Sequence, residues 1–266
     1  MALVLKFIQE TYKHYYEDAQ DPRTKTLFLM NPPWVPLAVL VAYLYFVQNL
    51  GPKLMSHRKP FNLRYPLLTY NILQVLANIY LAYQGTVLAF RKPLSLRCDP
   101  VSYSNHDISM AELRLVHYYC LLKVADLADT IFFVLRKKQN QVSFLHVYHH
   151  TGILLSTFIY SRVYPGGHCA LLGLVNTYVH AVMYFYFFLA VYRPELTKNT
   201  RCKKYITILQ MAQFAAMIVH FGRPVLLGYE CGIPHTWFWM GSLQNLFMLV
   251  MFADFYSKTY RARKVD

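Results

Sequence analysis

The sequence predicts an all-α polytopic membrane protein in which seven helices cross the bilayer. Of its 266 residues, 56% are hydrophobic and 17% aromatic, which is too apolar for an ordinary soluble domain of this length. Apolar runs near the roughly 20 residues that a bilayer core requires lie at positions 34–50, 66–90, 111–135, 143–160, 169–192, 205–227 and 235–256. The connecting loops are short and no repeat occurs, so we expect residues 1–266 to form a single domain.

The distribution of basic residues predicts the orientation of these spans. Lys and Arg are more frequent in the C-terminal tail and in the loops after the first, third and fifth spans than in the other loops, which places the C-terminus in the cytosol and the N-terminal segment in the lumen. The N-terminal segment lacks the pattern of a cleaved signal peptide. Arg263 and Lys264 near the C-terminus resemble a dilysine-type retrieval signal, so we expect an endoplasmic reticulum membrane protein; a basic tail facing lipid headgroups is the alternative.

The net charge of +14 is a consequence of this topology. The basic residues fall at the ends of apolar runs, and no soluble basic domain exists to hold a nucleic acid, so we expect membrane lipids and not nucleic acid as partners. The five cysteines form no metal-type Cys-x-x-Cys pair. Cys98 and Cys231 fall in loops assigned to the lumen, where oxidation is permitted, and we predict a disulfide between them, with two unpaired thiols as the alternative.

Three histidines lie within five residues at the start of the fourth predicted span. On a helix, His146 sits one turn before His149 and His150, so at least two imidazole rings share a face. A lone histidine is commonly a core residue bonded to a carbonyl group. Three together at membrane depth predict a metal site or a reactive site.

Polar side chains from four predicted spans reach one layer in the cytosolic half of the membrane. At about 1.5 Å per residue, they lie between about 8 and 18 Å below the cytosolic helix ends. These residues are Lys123, Asp126, Asp129, His149, His150, His180, Gln210 and Gln213. Asn176, His180 and Tyr184 form one stripe, which we expect opposite the histidine cluster. A buried ion network and interhelical hydrogen bonds are the structural alternatives.

Four polar blocks follow one another along the chain. They are Lys123-Val-Ala-Asp126-Leu-Ala-Asp129-Thr130, His146-Val-Tyr-His149-His150, Asn176-Thr-Tyr-Val-His180-Ala-Val-Met183-Tyr184-Phe-Tyr186 and Thr207-Ile-Leu-Gln210-Met-Ala-Gln213-Phe214. In these blocks the chain resembles the ELO family of very-long-chain fatty acid elongases. Two positions depart from the family pattern: Asp126 replaces the usual Glu, and Phe187 replaces the second of two tyrosines.

The resemblance implies that six of the seven helices form a barrel around an acyl tunnel open to the cytosol. It implies condensation of a long-chain acyl-CoA with malonyl-CoA to a 3-oxoacyl-CoA two carbons longer, with release of CO2 and CoA and without a metal or other cofactor. The later enzymes of the elongation cycle are then expected partners, and homo-oligomerisation stays open. Cytosolic basic residues can meet the CoA phosphates, namely Arg136, Lys137, Lys138, Arg201, Lys203 and Lys204.

For this reaction, we expect an imidazole and not a thiol to accept the acyl group, because Cys120 and Cys169 lie toward the lumenal ends of their spans. Either His149 or His150 would form the acyl-imidazole while the adjacent histidine takes its proton. Other polar residues would support this step: His146 and Asp129 would fix the ring tautomers, and Lys123 would offset the acidic charges of Asp126 and Asp129. In the condensation, His180 and Asn176 would polarise the malonyl thioester and Tyr184 would hydrogen-bond the oxyanion. The substrate site would be lined by Tyr186, Gln210 and Gln213. Condensation in a single step, with histidine only as base, is the competing mechanism.

Two other classes of protein share parts of this pattern. Membrane di-iron desaturases and hydroxylases also use His-x-x-His-His boxes, because imidazole suits iron, but they resemble one another in having several boxes and this chain has one. A seven-span receptor or transporter would use the intramembrane charges as a ligand or proton site, although the polar layer opens toward the cytosol. The sequence favours the elongase over both.

Overall fold

Regular secondary structure in the described part of the chain is helical throughout. The computed structural model describes residues 6, 13, 18–32, 34–93, 95 and 97–261, so the Arg263-Lys264 pair lies outside the described residues. The α-helices found there are α1 (Trp34–Tyr45), α2 (Gly51–Met55), α3 (Arg64–Arg91), α4 (Asp107–Asp126), α5 (Ala128–Leu135), α6 (Phe144–Val163), α7 (Ala170–Tyr192), α8 (Thr200–Leu226) and α9 (His235–Tyr256).

Among the described residues, five helical segments are long and apolar enough to cross a membrane, which indicates a multi-pass membrane protein. They are Trp34–Met55, Arg64–Arg91, Gly167–Tyr192, Arg201–Leu226 and His235–Tyr260. The other two predicted spans, 111–135 and 143–160, are also largely helical, but their charged residues and histidines make them less apolar. The count of seven and the barrel therefore stay predictions.

The chain divides into two units that interleave in sequence. One unit combines Met1–Pro60 with Ser102–Cys169, and the other combines Phe61–Val101 with Ala170–Asp266. Because each unit takes two separate stretches, no single boundary divides the chain into consecutive domains. The first unit carries α1, α2, α4, α5 and α6, and the second carries α3, α7, α8 and α9.

The core of the first unit joins apolar residues from four helices. It contains Leu40 and Tyr43 of α1, Cys120 of α4, Val134 of α5, and Leu154 and Phe158 of α6, together with Met30, Val47 and Leu127. Close packing of such side chains holds helices together where lipid, not water, surrounds them. The middle of α6 and the end of α5 thereby share one core with α1.

A segment before α1 is tied to the far end of α6 by charged side chains. Asp21 and Arg23 form an ion pair at 2.6 Å, and the Arg23 guanidinium also donates to the backbone carbonyls of Ser102 and Ser104. Arg162 in the last turn of α6 donates to the carbonyl of Met30 and accepts, through its own carbonyl, the backbone N–H of Asp21. A guanidinium has five donors, so one arginine can satisfy several loop carbonyls at once.

A disulfide joins two loops of the second unit. Cys98, after α3, and Cys231, between α8 and α9, are the pair predicted from the sequence, and their sulfur atoms are bonded at 2.01 Å. Nearby, the Lys92 ammonium lies 3.3 Å from the Asp99 carboxylate. These contacts tie the loop that follows α3 to the loop between α8 and α9.

Gly51 sits at a close approach between α2 and α5, and its substitution tests this packing. A Cβ atom there would lie 2.6 Å from the Val134 side chain and 2.9 Å from the Phe46 carbonyl oxygen. We expect Gly51→Ala to lower the free energy of unfolding by about 1–3 kcal/mol through overpacking. Thermal unfolding of the detergent-solubilised protein measures this loss.

Gly222→Ala is the matched control, because Gly222 also lies in a helix but its Cβ would meet nothing nearer than 3.7 Å. There alanine should leave the midpoint equal or raise it, since it favours helix by about 1 kcal/mol. Equal midpoints for Gly51→Ala and the unmodified protein would contradict the packing argument.

Candidate active site

The three clustered histidines occupy the first two turns of α6. The Ser143 side chain caps this helix by accepting the backbone N–H of His146 at 3.2 Å, which fixes where the helix begins. The ring centroids of His146 and His150 are 4.3 Å apart, and those of His149 and His150 are 5.7 Å apart. His150 is buried and the other two rings are half-buried. The centre of each imidazole ring therefore lies within 5.7 Å of the centre of another.

His146 is held by a hydroxyl group of the neighbouring helix. Its Nε2 atom lies 2.9 Å from Oγ1 of Thr130 on α5, and the same Oγ1 lies 2.8 Å from the Tyr43 hydroxyl on α1. The sequence analysis expected His146 and Asp129 to fix the tautomers of the histidine rings, and that role stays a prediction. His146 itself is bonded by the residue after Asp129, because the helical turn directs position 130 toward α6.

Lys123 and Asp126 form a buried ion pair at the end of α4. The Lys123 ammonium lies 2.8 Å from the Asp126 carboxylate, and both side chains are 1% exposed. The ammonium also lies 4.9 Å from the centre of the Tyr119 ring, which adds a cation–π contact. Lys123 and His146 both lie within electrostatic range of His149. The ion pair therefore belongs to the surroundings of the histidine cluster.

The helix that carries these charges is interrupted, which the sequence did not predict. A turn at Leu127 ends α4 and starts α5, so Asp126 closes one helix and Asp129 lies half-buried in the first turn of the next. The predicted span 111–135 is therefore two α-helices joined at one turn residue. Neither glycine nor proline marks the turn; Leu127 keeps helical backbone angles, its N–H bonds the Val124 carbonyl at 3.2 Å, and its side chain is 5% exposed within the core of the first unit.

The predicted polar stripe is present on α7 in the second unit. Asn176, His180 and Tyr184 are all buried, and the His180 and Tyr184 rings meet edge to face at 5.8 Å. The Asn176 amide donates to the Gln213 side-chain oxygen at 3.4 Å, and the Gln210 amide lies 3.6 Å from the Met183 sulfur. This unit thus gathers side chains from α7 and α8. That they act together with the histidine cluster stays a prediction.

A row of amides on α3 was missed by the sequence analysis. Asn71, Gln74 and Asn78 are 0–3% exposed, and Gln74 donates to the Tyr70 hydroxyl at 3.0 Å. Tyr70 in turn meets Tyr184, with the two hydroxyl oxygens 3.4 Å apart. The spacing of three and four residues within an apolar span was the signal that could have identified this row.

The predicted basic residues lie at helix ends. The C-terminal turn of α5 places Lys137 in the left-handed region at φ 55°, where its N–H and that of Lys138 satisfy the last carbonyls of the helix. Arg136 is half-buried and both lysines are exposed. Arg201, Lys203 and Lys204 are exposed in the first turns of α8, and the Lys204 ammonium lies 5.7 Å from the Tyr256 ring centre.

The remaining predicted residues take these positions. Tyr186 is buried at 8% exposure, and Phe187 packs against the rings of both Tyr184 and Tyr186. Cys120 is buried and Cys169 half-buried, both with free thiols. Within the described ranges, no group of three His, Cys, Asp or Glu side chains is arranged to hold a metal ion.

These observations define an all-helical, multi-pass membrane protein with a cluster of three histidines, of which His150 is buried and the other two are half-buried. The model of the GNS1/SUR4 (ELO) family matches residues 28–266. The chain is 40% identical to a very long chain fatty acid elongase of Aedes aegypti over 99% of this chain and 73% of that one. It is 37% identical to very long chain fatty acid elongase 7 of Rattus norvegicus over 94% and 88% of the two chains, and 32% identical to elongase 1 of Homo sapiens over 99% and 93%. The chain therefore belongs to the ELO family of very long chain fatty acid elongases.

The buried ion pair allows a test of what holds α4 in place. We expect Lys123→Met to lower the free energy of unfolding by about 3–5 kcal/mol, because the Asp126 carboxylate is left charged in an apolar interior. The double variant Lys123→Met with Asp126→Leu should recover most of this loss. Chemical unfolding in mixed detergent measures each value.

Lys258→Met is the matched control, since Lys258 also pairs with an aspartate, Asp254, at 2.8 Å but both side chains are exposed. Its loss should stay under about 1 kcal/mol. If Lys123→Met cost no more than Lys258→Met, the pair would not be buried in the way described.

Proposed function

We propose that this chain is a 3-oxoacyl-CoA synthase that condenses a long-chain acyl-CoA with malonyl-CoA. The observation that carries the proposal is the pair of imidazoles, His146 and His150, with ring centres 4.3 Å apart beside His149 at the start of a buried helix. The names of the relatives as very long chain fatty acid elongases support it.

The first half of the reaction transfers the acyl group to the histidine cluster. An imidazole nitrogen of His149 or His150 attacks the thioester carbonyl carbon, the carbon–sulfur bond breaks, and CoA leaves as a thiolate. The attacking ring loses the proton on its other nitrogen; the neighbouring imidazole accepts this proton and passes it to the departing thiolate. Rings 5.7 Å apart at their centres are adjacent enough to divide these two roles.

The second half uses the residues of the α7 stripe. The bond between C2 of malonyl-CoA and its carboxylate breaks, CO2 leaves, and the electron pair forms a thioester enolate. C2 then attacks the acyl carbonyl, the bond from that carbon to the imidazole nitrogen breaks, and the departing ring takes up one proton from solvent, which gives the 3-oxoacyl-CoA and restores the neutral histidine. We assign polarisation of the malonyl thioester to His180 and Asn176 and the oxyanion hydrogen bond to Tyr184.

The substrates place further demands on the protein. The CoA phosphates are met by cations at the helix ends, the half-buried Arg136 and the exposed Lys137, Lys203 and Lys204, and the walls of the site include Tyr186, Gln210 and Gln213. Every nucleophile, base and hydrogen-bond donor in this scheme is a side chain, so the scheme uses no metal or other cofactor. Its 3-oxo product must be reduced next, and we propose the later enzymes of the elongation cycle as partners.

Half-reactions separate the acyl-enzyme from a single-step condensation. The purified protein with acyl-CoA alone should release one equivalent of free CoA and gain the acyl mass on a peptide that contains His149 and His150. His149→Ala and His150→Ala should lose at least about 100-fold in condensation. His180→Ala should still release CoA but lose condensation by a similar factor.

His106→Ala is the control, because this exposed histidine lies outside the cluster and should keep full activity. An active preparation that releases no CoA until malonyl-CoA is added would favour the single-step mechanism. Full activity in all three site variants would make the site assignment wrong.

We also propose that the protein resides in the endoplasmic reticulum membrane with its C-terminus in the cytosol. An epitope added before Met1 should be reached by antibody only after full permeabilisation, whereas one in the loop at residues 198–200 should be reached when only the plasma membrane is opened. Replacing Arg263 and Lys264 by serine should shift the protein toward later compartments. Antibody access with the opposite pattern would reverse the proposed topology.

A further inference from the structure

The hydroxyls of Tyr43 and Thr130 join His146 in one hydrogen-bonded chain that runs across three helices. The two donor–acceptor distances are 2.8 Å for Tyr43 to Thr130 and 2.9 Å for Thr130 to the His146 Nε2 atom. Thr130 is 0% exposed and Tyr43 is 5% exposed. Tyr43 lies on α1, outside all four of the polar blocks recognised in the sequence.

The number of hydrogens available to these three side chains decides which group donates and which accepts in each hydrogen bond. Each hydroxyl has one hydrogen to donate. If His146 donated from Nε2, one buried hydroxyl hydrogen would have no acceptor: that of Tyr43 if Thr130 donated to it, or that of Thr130 if it accepted from both, since neither residue makes a further side-chain hydrogen bond in the described part of the chain. In the other direction, Tyr43 donates to Thr130 and Thr130 donates to Nε2, and every hydrogen in the chain is used. The second direction is favoured because an unmade buried hydrogen bond is costly.

We propose that Tyr43 and Thr130 are positioning residues that hold His146 neutral, with its proton on Nδ1, during the acyl transfer. This inference rests on the proposed function. Protonation of Nε2 would break the bond that Thr130 donates, so the chain opposes a cation at His146. A neutral His146, with its ring centre 4.3 Å from that of His150, places no positive charge beside the imidazole that must accept the proton released during acyl transfer.

Single-turnover release of CoA from acyl-CoA, without malonyl-CoA, tests this inference. Thr130→Val keeps the shape of the side chain but removes the hydroxyl, and it should slow release about tenfold, as expected for one lost hydrogen bond. Tyr43→Phe should slow it by a similar or smaller factor. Thr130→Ser restores the hydroxyl and should restore the rate, while the KM for acyl-CoA stays within about twofold in all variants.

A double variant distinguishes a chain from two separate packing effects. With Thr130 replaced by valine, Tyr43 can no longer act on His146, so Tyr43→Phe with Thr130→Val should be no slower than Thr130→Val alone. Independent effects would multiply instead. Thr157→Val is the matched control, because its buried hydroxyl donates to the Leu154 carbonyl on α6 and its loss should leave the rate unchanged.

The outcomes separate this inference from the proposed function. If the unmodified protein releases CoA and Thr130→Val is equally fast, the positioning role is overturned and the acyl-enzyme stands. If a preparation that is active in condensation releases no CoA from acyl-CoA alone, both the acyl-enzyme and the positioning role are overturned, while the condensation reaction stands. Should Thr130→Val not fold, Tyr43→Phe, which keeps the ring, decides the question: an unchanged rate overturns the inference, and slower release with unchanged KM supports it.

Discussion

A polar side chain inside an apolar helix must find its partner within the protein, because lipid hydrocarbon offers none. In the first unit, this constraint is met by the Lys123–Asp126 pair and by the bonds that Thr130 makes to Tyr43 and His146. In the second, it is met by the amide of Asn176 against Gln213. Each partner also fixes the position of a side chain in the candidate site. The interactions that satisfy the buried polar groups of these helices are therefore the same ones that position the side chains of that site.

The same constraint explains why five helices and not seven are apolar enough to be identified as membrane spans. Helices α4, α5 and α6 carry the charged and imidazole groups, and those groups lower the hydropathy of the segments that hold them. The stability of these helices depends more on contacts within the protein, through Leu40, Val134 and Leu154 in the core of the first unit, than on their own apolarity. The helices that carry the charged and histidine residues of the first unit therefore depend most on tertiary contacts for their stability.

The sequence predicted what depends on local pattern. The apolar runs, the shared helix face of His146 and His150, the α7 stripe and the Cys98–Cys231 pair all follow from spacing or from the side of the membrane assigned to a loop. The turn at Leu127 did not follow, because no glycine or proline marks it. The bond from Thr130 to His146 did not follow either, because the direction in which position 130 points is a property of the folded helices alone. The amide row on α3 was visible in the spacing but was overlooked, since the apolar residues around it dominated the interpretation of that span.

Both departures from the family pattern are accommodated by their immediate neighbours. Asp126 has one methylene fewer than the usual Glu, yet its carboxylate reaches the Lys123 ammonium at 2.8 Å, because a spacing of three residues brings the two side chains together on one helix face. Phe187 lacks a hydroxyl, but its ring packs edge to face on Tyr184, whose own hydroxyl points to Tyr70 on α3. A hydroxyl on Phe187 is therefore not needed to satisfy Tyr184. Each change therefore keeps one buried polar group partnered: the Asp126 carboxylate by Lys123 and the Tyr184 hydroxyl by Tyr70.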